Sequence, residues 1–335
     1  MDDSEHMTDT GIRDERSDHG LWPWFLAGAA YGLFLRYVFG ILPDSVSVNG
    51  VMSIAFLFGA PLVAGAMTVH GARHSRPSLL FAVFGPWLTV LMLLLGSLIT
   101  LLEGFICIAL LAPLFFGVGS LGGIAMWIAQ KLSSRHGANL GAFVLLPVAL
   151  LAGEEQMPLD ERLLTERQSV VIEAGAERVW NEIMEARDIR PDELPFSVTH
   201  LIGVPRPVEG VNRQTPDGEI RFSRWERGVQ FQGIVTDRVE HETIHWEYAF
   251  DAHSFPPGSM DEHVAIGGRF FDLVDTRFVL HAISADSTEL EIIANYRVSS
   301  SINLYAVPAA RFLGRDFVAT ILGLYKGRSE APGRE

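Results

Sequence analysis

His241-Glu242-Thr243-Ile244-His245 spells H-E-x-x-H, the pattern with which zinc proteases hold their metal. That chemistry needs a helix, where residues i and i+4 lie within about 6 Å on one face and both imidazoles reach one ion. The neighbouring residues point to a strand instead. Thr243 and Ile244 are β-branched, and Ile244, Trp246, Tyr248 and Phe250 alternate with His245, Glu247 and Asp251. Residues four apart on a strand are separated by about 13 Å, too far to share a zinc ion with bonds of about 2.0–2.1 Å. We therefore expect His241-Glu242 near a hairpin turn, His245 on the wet face of a strand, and no metal site.

Other residues with chemical potential are weaker. The segment from Asp251 to His263 carries His253, Asp261, Glu262 and His263 among prolines and glycines, and reads as a solvated loop. Asp272 and Asp275 are expected on opposite faces of one strand, which excludes a carboxylate dyad. The single cysteine, Cys107, lies in an apolar run, and no serine has a nucleophile-elbow context. No catalytic residue can be assigned. Gly117-Val118-Gly119-Ser120-Leu121-Gly122 matches the dinucleotide fingerprint G-x-G-x-x-G but lacks the preceding strand and βαβ unit. In an apolar segment such glycines let helices approach, so no cofactor is implied.

The charge distribution divides the chain. Of 335 residues with net charge −14, only Arg36, Asp44, Arg73, Arg76, Glu103, Lys131 and Arg135 are charged between Leu21 and Gly153. A bilayer crossing takes roughly 20 apolar residues. Leu21–Leu42 and Val51–Val69 each suffice, and Pro77–Gln130 holds two crossings joined at Glu103-Gly104, where Glu103 reads as a loop residue. Gly137–Gly153 is uncharged, short and contains Pro147, giving four or five spans. Arg13 and Arg16, Arg73 and Arg76, and Lys131 and Arg135 mark the cytoplasmic side. If the fifth run crosses, as we expect, the C-terminal half is extracytoplasmic; if it only dips in, that half stays cytoplasmic. The expected divisions are a polar tail over 1–20, membrane helices over 21–153, a linker over 154–166, a soluble domain over 167–327 and a polar tail over 328–335. The soluble part holds 31 acidic and 19 basic residues, which argues against nucleic acid.

Within the soluble part, Gln168–Glu173 has strand composition and Ala176–Ala186 reads as a helix. Strand-like runs lie at 198–204, 219–235, 244–250, 270–283 and 288–299, and the chain closes with a helix over about 304–325. In that helix Ala306, Ala310, Leu313, Phe317, Ile321 and Leu324 form one apolar stripe. Leu290, Ile292, Ala294, Tyr296 and Val298 alternate with polar residues, and His281 falls on a wet face. This is an α+β plan in which an antiparallel sheet buries its dry face against the last helix.

The opening Val170-Val171-Ile172-Glu173-Ala174-Gly175-Ala176-Glu177-Arg178-Val179-Trp180, with this order of elements, resembles the START-like superfamily, also called SRPBCC or polyketide cyclase/dehydrase and lipid transport. It also looks like a membrane-tethered bacterial subgroup. The resemblance spans about Glu166 to Lys326. It implies a helix-grip fold: a curved sheet around the long last helix, enclosing an elongated apolar cavity. Members bind lipids, sterols or polyketides, and some are enzymes without universal catalytic residues. The expected cavity lining is Trp246, Tyr248, Phe278, Ile292, Tyr296, Leu313 and Phe317, with the Tyr296 hydroxyl as the candidate polar contact. Three readings remain open: a membrane protein binding a hydrophobic, lipid-like small molecule, a cyclase- or dehydratase-like enzyme using the same cavity, and a regulatory module with a filled pocket. The oligomeric state is open.

Overall fold

The computed structural model describes residues 20–42, 50–132, 140–154, 159–216, 218–261 and 266–332. Four N-terminal helices are long and apolar enough to cross a bilayer: α1 (Trp22–Ile41), α2 (Ile54–Gly71), α3 (Leu79–Ile99) and α4 (Phe105–Leu132). Helix α2 is innermost because its glycines and alanines let neighbours close on it. A Cβ on Gly65 would collide with the backbone of Gly119, and one on Gly122 with the Leu62 carbonyl. The G-x-G-x-x-G run is thus a helix-packing surface, as expected from its surroundings.

The run at 137–153 forms two short helices among its described residues, α5 (Leu140–Val144) and α6 (Leu146–Glu154). Leu140 packs against a cluster that includes Ala66 and Val69 in the C-terminal half of α2, whereas Glu154 accepts hydrogen bonds from the Ile54 and Ala55 amides at its N-terminal end. The pair therefore runs along most of α2. Between α3 and α4, Glu103 is a loop residue, buried in an ion pair with Arg36 of α1.

The C-terminal domain is one antiparallel eight-stranded sheet in the order β1-β8-β7-β6-β5-β4-β3-β2. Its strands are β1 (Asp160–Ile172), β2 (Glu185–Ala186), β3 (Pro207–Thr215), β4 (Gly218–Trp225), β5 (Gln230–Val239), β6 (Thr243–Ala249), β7 (Phe271–Ser284) and β8 (Ser287–Ser300). Helices α7 (Ala176–Met184) and α8 (Val198–Leu201) flank the long α9 (Asn303–Glu330). Alternation along β6 and β8 sends Ile244, Trp246, Leu290, Ile292, Tyr296 and Val298 to the concave side. There Ile244, Trp246, Leu290 and Ile292 meet Val318, Leu322, Leu324 and Tyr325 of α9, with Val179, Trp180 and Ile183 of α7.

Several elements differ from the sequence reading. The charged stretch read as linker is mostly strand: β1 starts at Asp160 and pairs with β8 along its full length. Its outward positions are charged because β1 is an edge strand, which hides the inward Leu164 and Glu166. The run at 198–204 begins as the short helix α8, capped by the Ser197 hydroxyl on the His200 amide. Strand β3 has no expected counterpart, and the run at 219–235 is two strands divided at Glu226–Gly228, where Arg227 (φ +58°) and Gly228 (φ +75°) make a left-handed turn.

Candidate functional site

The concave face of the sheet does not close on α9. Between them lies a cavity of about 240 Å³, and beyond it a second compartment of about 110 Å³. Trp225, Leu273, Ala294, Phe317 and Val318 border both. Every member of the α9 stripe faces this space: Ala306, Ala310, Leu313 and Phe317 line the larger compartment, and Phe317, Ile321 and Leu324 the smaller. The stripe therefore walls a cavity rather than a solid core, which a helical periodicity cannot distinguish.

The seven residues expected to line a cavity are divided between the compartments. Tyr296, Leu313 and Phe317 border the larger; Trp246, Tyr248, Phe278, Ile292 and again Phe317 border the smaller. Tyr296 stands over Gly314 of α9, where an added Cβ would lie 3.0 Å from its hydroxyl. That hydroxyl is buried without a hydrogen-bond partner among the described residues, and burial pushes its pKa up to about 12. It remains protonated at neutral pH and can donate a hydrogen bond. Glu166, on β1, also borders the larger compartment, held at 3.3 Å by Arg315 Nε.

One wall was not legible in the sequence. Met52, Leu57, Ile106, Leu110 and Leu111, all from the helical bundle, form part of the wall of the larger compartment. Asp261 Oδ2 accepts from the Cys107 amide at 2.8 Å, and the Tyr305 hydroxyl donates to the Leu110 carbonyl, so both contacts tie this wall to the domain. Residues from two distant runs meet here through tertiary packing alone. The smaller compartment holds another residue the sequence reading passed over, Arg221 of β4, which points inward beside Trp246.

The H-E-x-x-H residues take no part in the cavity. His241 sits in the β5–β6 turn with φ +62°, and His245 is in β6. His245 faces outward, its Nδ1 2.7 Å from Thr236 Oγ1 and its Nε2 3.2 Å from Asp275 Oδ1. Asn295 Nδ2 donates to the same Asp275 oxygen, and Thr165 donates to Asn295, so a polar ladder crosses five strands from β5 to β1. One expectation is corrected here: Asp272 and Asp275 share the outer face. A bulge after Leu273 adds one residue, so Asp272 opposes Arg297 and Asp275 opposes Asn295. His281 is exposed as expected.

The long helix gripped by a curled antiparallel sheet, with a cavity between them, settles the architecture. This is a helix-grip domain. Among solved structures the chain is similar to a START superfamily protein from Mycobacterium smegmatis, at 15% identity over 50% of this chain and 97% of that one, with a TM-score of 0.34. It is also similar to the ZhuI aromatase/cyclase from a Streptomyces species, at 12% identity over 50% and 94% of the two chains, TM-score 0.32. A third is norcoclaurine synthase from Thalictrum flavum, at 10% identity over 51% and 87%, TM-score 0.29. No family model and no curated protein matches the chain.

Proposed function

We propose that this chain is a multi-pass membrane protein whose grip domain binds a hydrophobic, lipid-like small molecule in the cavity between sheet and α9. The observation that carries the reading is the larger compartment. Its wall is almost wholly apolar, and one side of that wall is made by the bundle itself. Apolar surface left around an open space gains free energy when an apolar ligand covers it. The seven residues Trp246, Tyr248, Phe278, Ile292, Tyr296, Leu313 and Phe317 are the proposed contacts, with Tyr296 as hydrogen-bond donor.

Membrane insertion is supported by α3. Leu80, Phe84, Trp87, Leu91 and Leu95 form an exposed apolar stripe along it, a surface that suits acyl chains and not water. The grip domain meets the bundle at the N-terminal ends of α2 and α4. Arg73 and Lys131 lie beyond or within the opposite ends of those helices. By the positive-inside tendency this favours an extracytoplasmic grip domain. An enzymatic reading would use Glu166 and Tyr296, but Arg315 engages Glu166 and no further acid–base pair among the described residues lines the compartment, so binding is preferred.

The test is gentle extraction of the full chain followed by mass spectrometry of co-purifying small molecules. An apolar compound should be retained in roughly stoichiometric amount. A folded sample that carries none, and takes up none from a lipid extract, refutes ligand binding. A tag after Glu335 in sealed vesicles should be open to protease on the extracytoplasmic face; digestion only from the cytoplasmic face reverses the orientation.

A further inference from the structure

Arg221 is 5% exposed and lies on the wall of the smaller compartment. Its partners are all neutral. Nη1 donates to the Ile183 carbonyl and to Asn212 Oδ1, both at 2.8 Å, and Nη2 donates to the Tyr325 hydroxyl at 2.9 Å. The guanidinium carbon stands 4.9 Å from the centre of the Trp246 ring. Among the described residues no carboxylate comes within ion-pair distance of it. Glu219 is one step removed, accepting from Asn212 and Arg238, and Glu209, also on the compartment wall, is taken up by Arg187 and Arg224.

A guanidinium buried without a counter-ion is costly, and hydrogen bonds to neutral groups offset the loss of water only in part. Three of its five N–H groups are used, which leaves Nε–H and one Nη2 hydrogen for something else. The backbone makes room for it. Gly210 of β3 lies beside the group, and a Cβ there would come 2.8 Å from Nη2. Gly210 and Ser223 border the compartment with Arg221, and Phe317 and Val318 form a wall shared with the larger apolar compartment.

We propose that Arg221 is the anion-binding end of the cavity and that the ligand is an amphiphile carrying one carboxylate, with its apolar chain extending along α9 toward the bundle. The inference rests on the ligand-binding reading above and specifies its chemical class. A carboxylate matches the two remaining donors and supplies the missing counter-ion. The small volume at this end selects a compact head group.

The test measures displacement of the neutral dye Nile red from the full chain in nanodiscs of uncharged lipid, at neutral pH, by decanoate and by decanol. In the wild type decanoate should be effective at a concentration about tenfold lower, the scale of a hydrogen bond to a charged group. Arg221→Gln and Gly210→Ala should each bring the two compounds to parity, the second by filling the space beside a guanidinium that stays charged. Equal displacement in the wild type, or an acid preference that survives both substitutions, overturns the assignment while leaving cavity binding intact. Failure of the dye and of both compounds to bind removes the ligand-binding reading itself. If Arg221→Gln does not fold, the wild-type comparison and Gly210→Ala still decide.

Discussion

Asp261 Oδ2 lies 2.8 Å from the backbone nitrogen of Cys107, so a carboxylate from a grip-domain loop caps the first turn of bundle helix α4. Early amides of a helix have no partner within it, and a negative charge there is favoured. Gly104 makes the approach possible, since a Cβ at that position would occupy the place of the Asp261 side chain. The two halves of the protein are therefore joined by a directional contact beside the apolar wall they share.

Loss of that cap has a local signature. Asp261→Ala should cost about 1 kcal/mol, within the range for helix caps, and hydrogen exchange at the amides of 105–107 should rise. The amides at the N-terminal end of α2, capped by Glu154, should not change. Unchanged exchange at 105–107 would show that the contact does not form in solution.

Filling the cavity separates stability from binding. Ala310 borders the larger compartment, and Ala310→Phe places a ring in open space. Ligand recovered by mass spectrometry should fall at least about tenfold. Thermal stability should drop by less than the roughly 1–3 kcal/mol typical of overpacking a filled core. A larger loss of stability would mean that the space is closed in solution.

Tyr296→Phe removes a buried hydroxyl that has no partner among the described residues. In a sample stripped of ligand, stability should be unchanged or rise by up to about 1 kcal/mol, because a desolvated polar group is deleted. Ligand retention should weaken if the hydroxyl donates to the ligand. A loss of several kcal/mol in stripped protein would reveal a bond that the structure lacks.

Acid should act in two steps. Burial holds the His200 imidazole below the ordinary histidine range, while the Val204 carbonyl bonded to Nδ1 pulls the other way. A histidine whose folded pKa is lowered binds its proton more readily when unfolded, so stability falls as pH drops below about 6.5. Burial raises the Asp316 carboxyl, but its hydrogen bonds from Ser197, Thr199 and Val198 outweigh this and hold it below the usual carboxylate range. Its contribution is present above the unfolded carboxylate pKa near 4 and is lost as pH falls through the lower folded value. Melting temperature from pH 8 to 3 should show both declines. His200→Gln should remove the upper one only, and persistence of that decline would reassign it.

The outer-face ladder predicts the behaviour of the motif that resembles a zinc site. His245→Ala should leave bound zinc, measured by elemental analysis, at the wild-type level and cost about 1 kcal/mol through the loss of the Thr236 hydrogen bond and the Asp275 contact. Stoichiometric zinc that disappears with His245 would overturn the strand geometry as an account of this segment.

Alternation made much of the grip domain legible. Residues two apart on β6 and β8 and three or four apart on α9 separate dry from wet faces within one short window. The concave sides of these elements could therefore be named before any packing was known. The edge strand β1 was obscured by its charged outer face, and the inward side of β4 by Arg221, which breaks the expected hydropathy. The bulge after Leu273 was invisible because one inserted residue inverts every parity beyond it.

The sequence by itself determined an apolar helical region, an α+β domain closed by a long helix and the dry sides of β6 and β8, because these arise from local periodicity and hydrophobic length; the helix grip was what the family resemblance implied. Only the tertiary structure decided that the α9 stripe lines open space and that Arg221 is buried without a counter-ion. It alone also brought Met52, Ile106 and Leu110 to the wall of the larger compartment. Whether an apolar face packs solidly or leaves a void depends on the separation of elements far apart in the chain, and no local pattern carries that distance.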